Sequence, residues 1–114
     1  AETPEMVLYA LEGLASVAAS VAEDETAARL WGASEAVRES IGVILAPAEL
    51  ALHERLVPQS RARLGSDSFA AAWAEGKAMP TEQAVELALG TEVVGTDQAA
   101  RSRVTSPDAH SVAG

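Results

Sequence analysis

Small apolar residues recur at alternating steps of four and three along the first part of the chain, at Val7, Leu11, Leu14, Ala18 and Val21. That spacing places them on one face of a helix. Leu8, Ala15 and Ala22 widen the face. Hydrophobic residues make up 48% of the chain but aromatic ones only 4%, and alanine supplies most of the difference. A core of Ala, Leu and Val with so few rings suits closely packed helices and not a β-sandwich. The expected fold is therefore all-α, with four to five antiparallel helices in one small domain of the 114-residue chain.

Helix starts and stops divide the sequence further. The first helix is expected over 5–21, with Thr3 and Pro4 starting it and Glu5 facing the positive end of its dipole. A second follows from Asp24, read as its N-cap, to Ile41, with Gly42 as its stop. Its inward stripe is Ala27, Leu30, Trp31, Ser34, Val37 and Ile41, with Glu35 and Glu39 on the opposite side. A third starts at Pro47, carries Leu52, Leu56, Ser60 and Leu64 on one face and ends at Gly65. Pro58 should kink it or split it near Val57. Ser66 or Asp67 is expected to cap a fourth helix over 67–79, with Phe69, Ala72, Trp73 and Gly76 inward. Pro80 stops it, and Thr81 caps a fifth over 82–89 with Val85, Ala88 and Leu89 inward. These helices form an expected folded unit, 1–89. Residues 90–114 read as a flexible polar tail in which Val93-Val94 is the one apolar pair.

Composition removes several classes of function. The formal net charge is −9, and residues 1–89 hold 14 acidic against 6 basic side chains, so the acidity belongs to the expected folded part. This disfavours nucleic acid and anionic membrane as direct partners. Arg101 and Arg103 in the tail are too few to change that. There is no Cys, which excludes disulfides and Cys-based zinc sites. No apolar run is long enough to span a membrane, and no signal-peptide pattern is expected at the start.

Candidate sites are few. Glu49 and His53 stand one helical turn apart, yet two ligands make a poor metal site, and a structural histidine is the expected reading. Glu23, Asp24 and Glu25 are adjacent acids at a helix start, where capping accounts for them. Arg55, Arg61 and Arg63 form a small basic cluster that suits either an anion or an intramolecular pair. Trp31 and Trp73 fall on inward stripes and read as core. Gly13, Gly32 and Gly76 each lower helix propensity, and close helix approach is their expected use. No phosphate-binding Gly-x-x-x-x-Gly-Lys-Ser/Thr loop occurs. No catalytic residues, metal ligands or cofactor are assigned, and the chain is not expected to be an enzyme.

The first two helices together have about the length of a tetratricopeptide repeat. The repeat's packing positions fall on Leu11, Leu14, Ala15 and Ala18 of the first helix and on Ala27, Trp31 and Ser34 of the second. Ala18, where a large ring is usual, and Glu39, where Pro is usual, depart from the pattern. Longer phrases extend the likeness: Leu11-Glu12-Gly13-Leu14-Ala15, Ala27-Ala28-Arg29-Leu30-Trp31-Gly32-Ala33-Ser34-Glu35-Ala36, Pro47-Ala48-Glu49, and Phe69-Ala70-Ala71-Ala72-Trp73-Ala74-Glu75-Gly76-Lys77-Ala78-Met79. With Glu82-Gln83-Ala84-Val85 they resemble the C-terminal helical-repeat region of large ATP-binding transcriptional regulators of the LuxR type. Related adenylate-cyclase-like proteins of actinobacteria share it.

That resemblance implies a fragment of a longer cytoplasmic signalling protein with an N-terminal ATPase module. It also implies a tetratricopeptide-like hairpin followed by a C-terminal helical cap, with Phe69, Trp73 and Gly76 as the second core. ATP would belong to the parent and no cofactor to this chain. The expected partner is protein, either the parent's ATPase module or another protein. A homodimer through helix 5–21 is also expected to be possible. Two other functions stay open. One is an effector-sensing groove near Ala15, Ser34 and Arg38. The other is a free-standing helical adaptor.

Overall fold

The computed structural model describes residues 3–90, and they form an all-α fold. Four helices are α1 (Pro4–Ser20), α2 (Asp24–Ile41), α3 (Pro47–Leu64) and α4 (Ser66–Lys77). A further helical stretch, α5, covers 81–90. The polar-tail reading of 90–114, with Val93-Val94, Arg101 and Arg103, lies outside the described residues except for Gly90, which is helical.

Local chemistry sets most of the boundaries. The Thr3 hydroxyl accepts the Met6 N–H at 3.2 Å, and Pro4 occupies the first turn of α1. Gly42 ends α2 in the left-handed conformation, φ 68°, where a Cβ would be strained. Pro47 starts α3. Gly65 turns the chain at φ 98° from α3 into α4. Pro58 lies inside α3, which runs through it as one helix, so of the two expected alternatives, a kink or a split near Val57, the split does not occur. Its missing N–H falls on an exposed side of the helix, where Gln59 is also exposed.

Two cap assignments and one helix end are corrected. Glu23, not Asp24, is the N-cap of α2, and it makes no side-chain cap bond. Asp24 is the first helical residue, and its carboxylate is taken by α3 (below). Gly65 precedes α4, so neither Ser66 nor Asp67 caps it, and α4 stops at Lys77, two residues early.

Helix α2 is central, with α1 along one side and α4 along the other. α3 touches all three. The core joins Leu11, Ala15, Ala18 and Ala19 of α1 to Ala27, Ala28, Leu30, Trp31 and Ala33 of α2. Val57 of α3, Phe69 and Ala72 of α4, and Ala84 and Ala88 of α5 complete it. Alanine at so many contact positions lets the helices pack closely. At the α2–α4 crossing two glycines go further. A Cβ on Gly32 would lie 2.1 Å from the Trp73 carbonyl oxygen, and one on Gly76 1.9 Å from the Arg29 carbonyl oxygen. Gly13 differs from both, since nothing lies within 4 Å of its missing Cβ. The expectation of close approach therefore fails within this chain at Gly13.

Candidate functional site

Leu11, Ala15, Ala18, Ala27, Trp31 and Ser34 are buried where α1 and α2 pack, while Leu14 is half-buried. Phe69 and Gly76 of α4 are buried, and Trp73 is half-buried. Phe69 and Trp73 both stack near Trp31, with ring centroids 6.3 and 6.4 Å from it. The rings thus lie at usual aromatic-pair spacing. Val21, read as inward, is 37% exposed because it follows the last turn of α1.

Three polar groupings tie the helices together. The first is centred on Glu12, which is only 3% exposed. The Ser34 hydroxyl of α2 donates to its Oε2 at 2.5 Å. The His53 ring of α3 donates to its Oε1 from Nδ1 across 3.1 Å, the carboxylate being the acceptor. The same imidazole meets Trp31 and Trp73 edge-on, at 5.8 and 6.0 Å between centroids. His53 thus points away from a joint site with Glu49 and into the α1–α2–α3 junction. Among the described residues, no group of three metal-ligating side chains occurs. Ser34 bonds the carboxylate, and its own exposure is nil.

The second grouping closes the α1–α2 turn. Arg63 of α3 donates from Nε to Asp24 Oδ2 at 3.0 Å and from Nη2 to Oδ1 at 2.9 Å. Nη2 also reaches the Ala19 carbonyl oxygen at 2.9 Å, and the Ser60 hydroxyl donates to Asp24 Oδ1 at 2.6 Å. One guanidinium therefore faces the negative end of α1 and the acid at the positive start of α2. These bonds, led by that from Arg63, hold the Asp24 carboxyl below its ordinary range against the opposing effect of burial. The basic cluster read along α3 is accordingly divided. Arg63 pairs within the chain, and Arg61 sits 5.0 Å over the Phe69 ring.

The third lies on the α2–α4 seam. The Trp73 indole donates to Glu35 Oε1 at 2.9 Å, and Lys77 Nζ lies 3.3 Å from the same oxygen. The indole bond first, then Lys77, lowers the Glu35 pKa. Glu35 is therefore half-buried at a helix seam, which corrects its assignment to the solvent side.

Sequence reasoning missed Glu12 as a buried group. The signal was present: Leu8, Leu11, Glu12 and Ala15 make one inward stripe at steps of three, one and three. Ala15 and Ser34, named with Arg38 for a sensing groove, are fully buried among the described residues. Arg38 borders an open depression of about 520 Å³ with Glu39, Gly42, Val43, Ile44, Leu45 and Leu50.

The surface of α1 is the remaining feature. From Met6 to Ala22 the only ionisable side chain able to carry charge at neutral pH is the buried Glu12. Yet Met6, Tyr9, Ala10, Gly13, Val17 and Val21 are exposed, with Met6 at 61%. Beside them an apolar groove of about 230 Å³ runs between α1 and Val85, Ala88 and Leu89 of α5. A helix apolar on all sides belongs in an interior. No helix among the described residues is long and apolar enough to cross a membrane. Compared with protein-family models, with curated proteins and with solved structures, the chain matches none.

Proposed function

We propose that the chain is a non-catalytic protein-interaction module at the C-terminal end of a helical-repeat solenoid, in an ATP-binding transcriptional regulator of the LuxR type. The observation that carries this reading is α1, a helix of interior composition with one side uncovered in an otherwise acidic chain. The buried carboxylate, serine and histidine serve helix junctions in this reading, and no chemistry on a substrate is assigned to them. ATP is handled by the parent's ATPase module. The module acts by a change of packing across α1, against that ATPase or another protein, in the cytoplasm and without direct contact to DNA.

A second reading is favoured by the depression beside Arg38. Its volume falls within the range of small-molecule sites, and Arg38 and Glu39 place one cation and one anion at its otherwise apolar rim. In this reading the segment senses an effector for the same kind of regulator, and a bound effector raises the melting temperature by mass action.

The test of the leading reading is the size of the natural polypeptide. An antibody to this chain is used on a denaturing blot of the source cells. A band several-fold larger than 11.7 kDa is expected. A band near 11.7 kDa overturns the solenoid reading and leaves a free-standing helical adaptor.

A further inference from the structure

We infer that the depression between the end of α2 and the start of α3 takes a small amphiphilic carboxylate, an ionised head on a linear apolar chain, with Arg38 holding the head. This rests on reading the depression as an effector site, and it names the chemical class of the effector. Arg38 is the starting point. Its side chain is only 21% exposed, and its one ion pair among the described residues, with Glu35, spans 3.8 Å. That is beyond hydrogen-bond reach, so among the described residues no acceptor meets its five guanidinium N–H groups. Arg29 and Arg63 differ, since each holds carboxylate oxygens within 3.2 Å. Glu35 is drawn the other way, with the Trp73 indole and Lys77 both at its Oε1.

The rest of the rim narrows the class. Glu39 is exposed and has Lys77 Nζ 3.3 Å from its Oε2. The rim therefore carries an anion with a partner and a cation without a hydrogen-bonded one, which favours an anionic head over a cationic one. Below the rim the lining is apolar. Gly42 at φ 68° turns the chain out of α2, and Val43, Ile44 and Leu45 lead it to α3. Ile44 is 87% exposed, and Leu50 near the start of α3 is exposed as well. A neutral apolar molecule would cover Arg38 without giving it an acceptor, and a wholly polar anion would leave Ile44 and Leu50 in water. A carboxylate on a linear chain meets both demands. The negative end of α2 and the positive end of α3 offset one another here, so the guanidinium is the deciding charge. The depression is open and the chain carries a net charge of −9, so binding is weak, with a Kd on the order of 1 mM.

Titration of octanoate, octanol and octylammonium, each separately, into the full 114-residue chain tests it by methyl NMR. The chain has two isoleucines, Ile41 and Ile44, so the Ile44 signal is readily assigned. Met6, beside the uncharged groove of α1 and α5, reports unselective apolar binding. Octanoate should shift Ile44 saturably and about tenfold more tightly than it shifts Met6. Its affinity should exceed that of butanoate by about twofold to fourfold per added methylene. Arg38→Gln should weaken octanoate about tenfold and leave octanol unchanged. Leu50→Gln, at another exposed position, keeps Arg38 and should flatten the dependence on chain length. Octanoate that moves Met6 as readily as Ile44, keeps its affinity in Arg38→Gln, or binds no tighter than octanol overturns the carboxylate class. Octanol or octylammonium binding at Ile44 in its place also overturns the class, while the effector reading stands. An Ile44 signal unmoved by all three overturns the inference together with the depression as an effector site, so the two fail distinguishably.

Discussion

Replacing glycine by alanine at three helix positions should move stability in two opposite directions. At Gly32 and Gly76 the new Cβ would stand 2.1 and 1.9 Å from backbone carbonyl oxygens, where ordinary contact begins at 3.4 Å. Neither oxygen can swing aside, so α2 and α4 must part by about 1 Å or more. A large buried side chain makes about 40–60 contacts of about 0.1–0.2 kcal/mol, and a gap of 0.5–1 Å forfeits a quarter to a half of them. Around Trp31, fully buried at this seam, that is a loss of about 2–4 kcal/mol. Alanine returns about 1 kcal/mol of helix propensity. The net cost at either site is roughly 2 kcal/mol, or about 8–16 °C in Tm. The double variant should cost less than the sum, because the first substitution already parts the helices. Gly13→Ala has open space, so it should gain about 0.5–1 kcal/mol and raise Tm by about 2–8 °C. Thermal melts followed by circular dichroism measure all four variants. A rise in Tm for Gly32→Ala or Gly76→Ala, or a fall for Gly13→Ala, would refute the packing argument.

Other outcomes follow from the polar junctions and the turn. Asp24 has a lowered folded pKa, so its contribution is complete above its ordinary value of 3.8 and is lost as pH falls through the folded value. Asp24→Asn should therefore cost about 2 kcal/mol at pH 7 and flatten the acid limb of the stability profile below pH 3.8, read by urea titration at several pH values. Glu12→Ala leaves the Ser34 hydroxyl and the His53 ring without their acceptor and should cost about 3 kcal/mol; Ser34→Ala removes one bond and should cost about 1 kcal/mol in the same titration. Ala22 holds φ 61°, which an L side chain adopts at a cost, so Ala22→Gly should stabilise by about 0.5 kcal/mol despite glycine's greater freedom when unfolded.

What the sequence made legible was local. Gly42, Pro47 and Gly65 act within a few residues of themselves, and each marks the expected boundary. The inward stripe of α2 was readable because Ala27, Leu30, Trp31 and Ser34 keep one period through a single helix. Several misreadings involve partners far along the chain. Asp24 has the chemistry of a cap, but Arg63, 39 residues away, takes its carboxylate. Glu35 looks solvent-facing until Trp73, 38 residues on, donates to it. Glu12 sits on the apolar stripe, but its acceptability there depends on Ser34 and His53, from two other helices. Gly13 and Gly32 are indistinguishable by propensity; only the position of α4 separates them. The candidate surface on α1 was visible as a charge-poor run, whereas which side of it stays open depends on where α2, α3 and α5 pack.

Oxidative footprinting of the methionines tests most directly that the open side of α1 is an interaction surface. The chain has two, Met6 at 61% exposure and Met79 half-buried against the core, so Met79 serves as the internal reference. In the dilute isolated chain Met6 should oxidise much faster than Met79 under mild peroxide. In the natural protein, labelled before cell extracts are denatured, Met6 should be slowed to the rate of Met79 or below. Met6 that stays as reactive in the natural protein as in the isolated chain would contradict the assignment of α1 as the docking face.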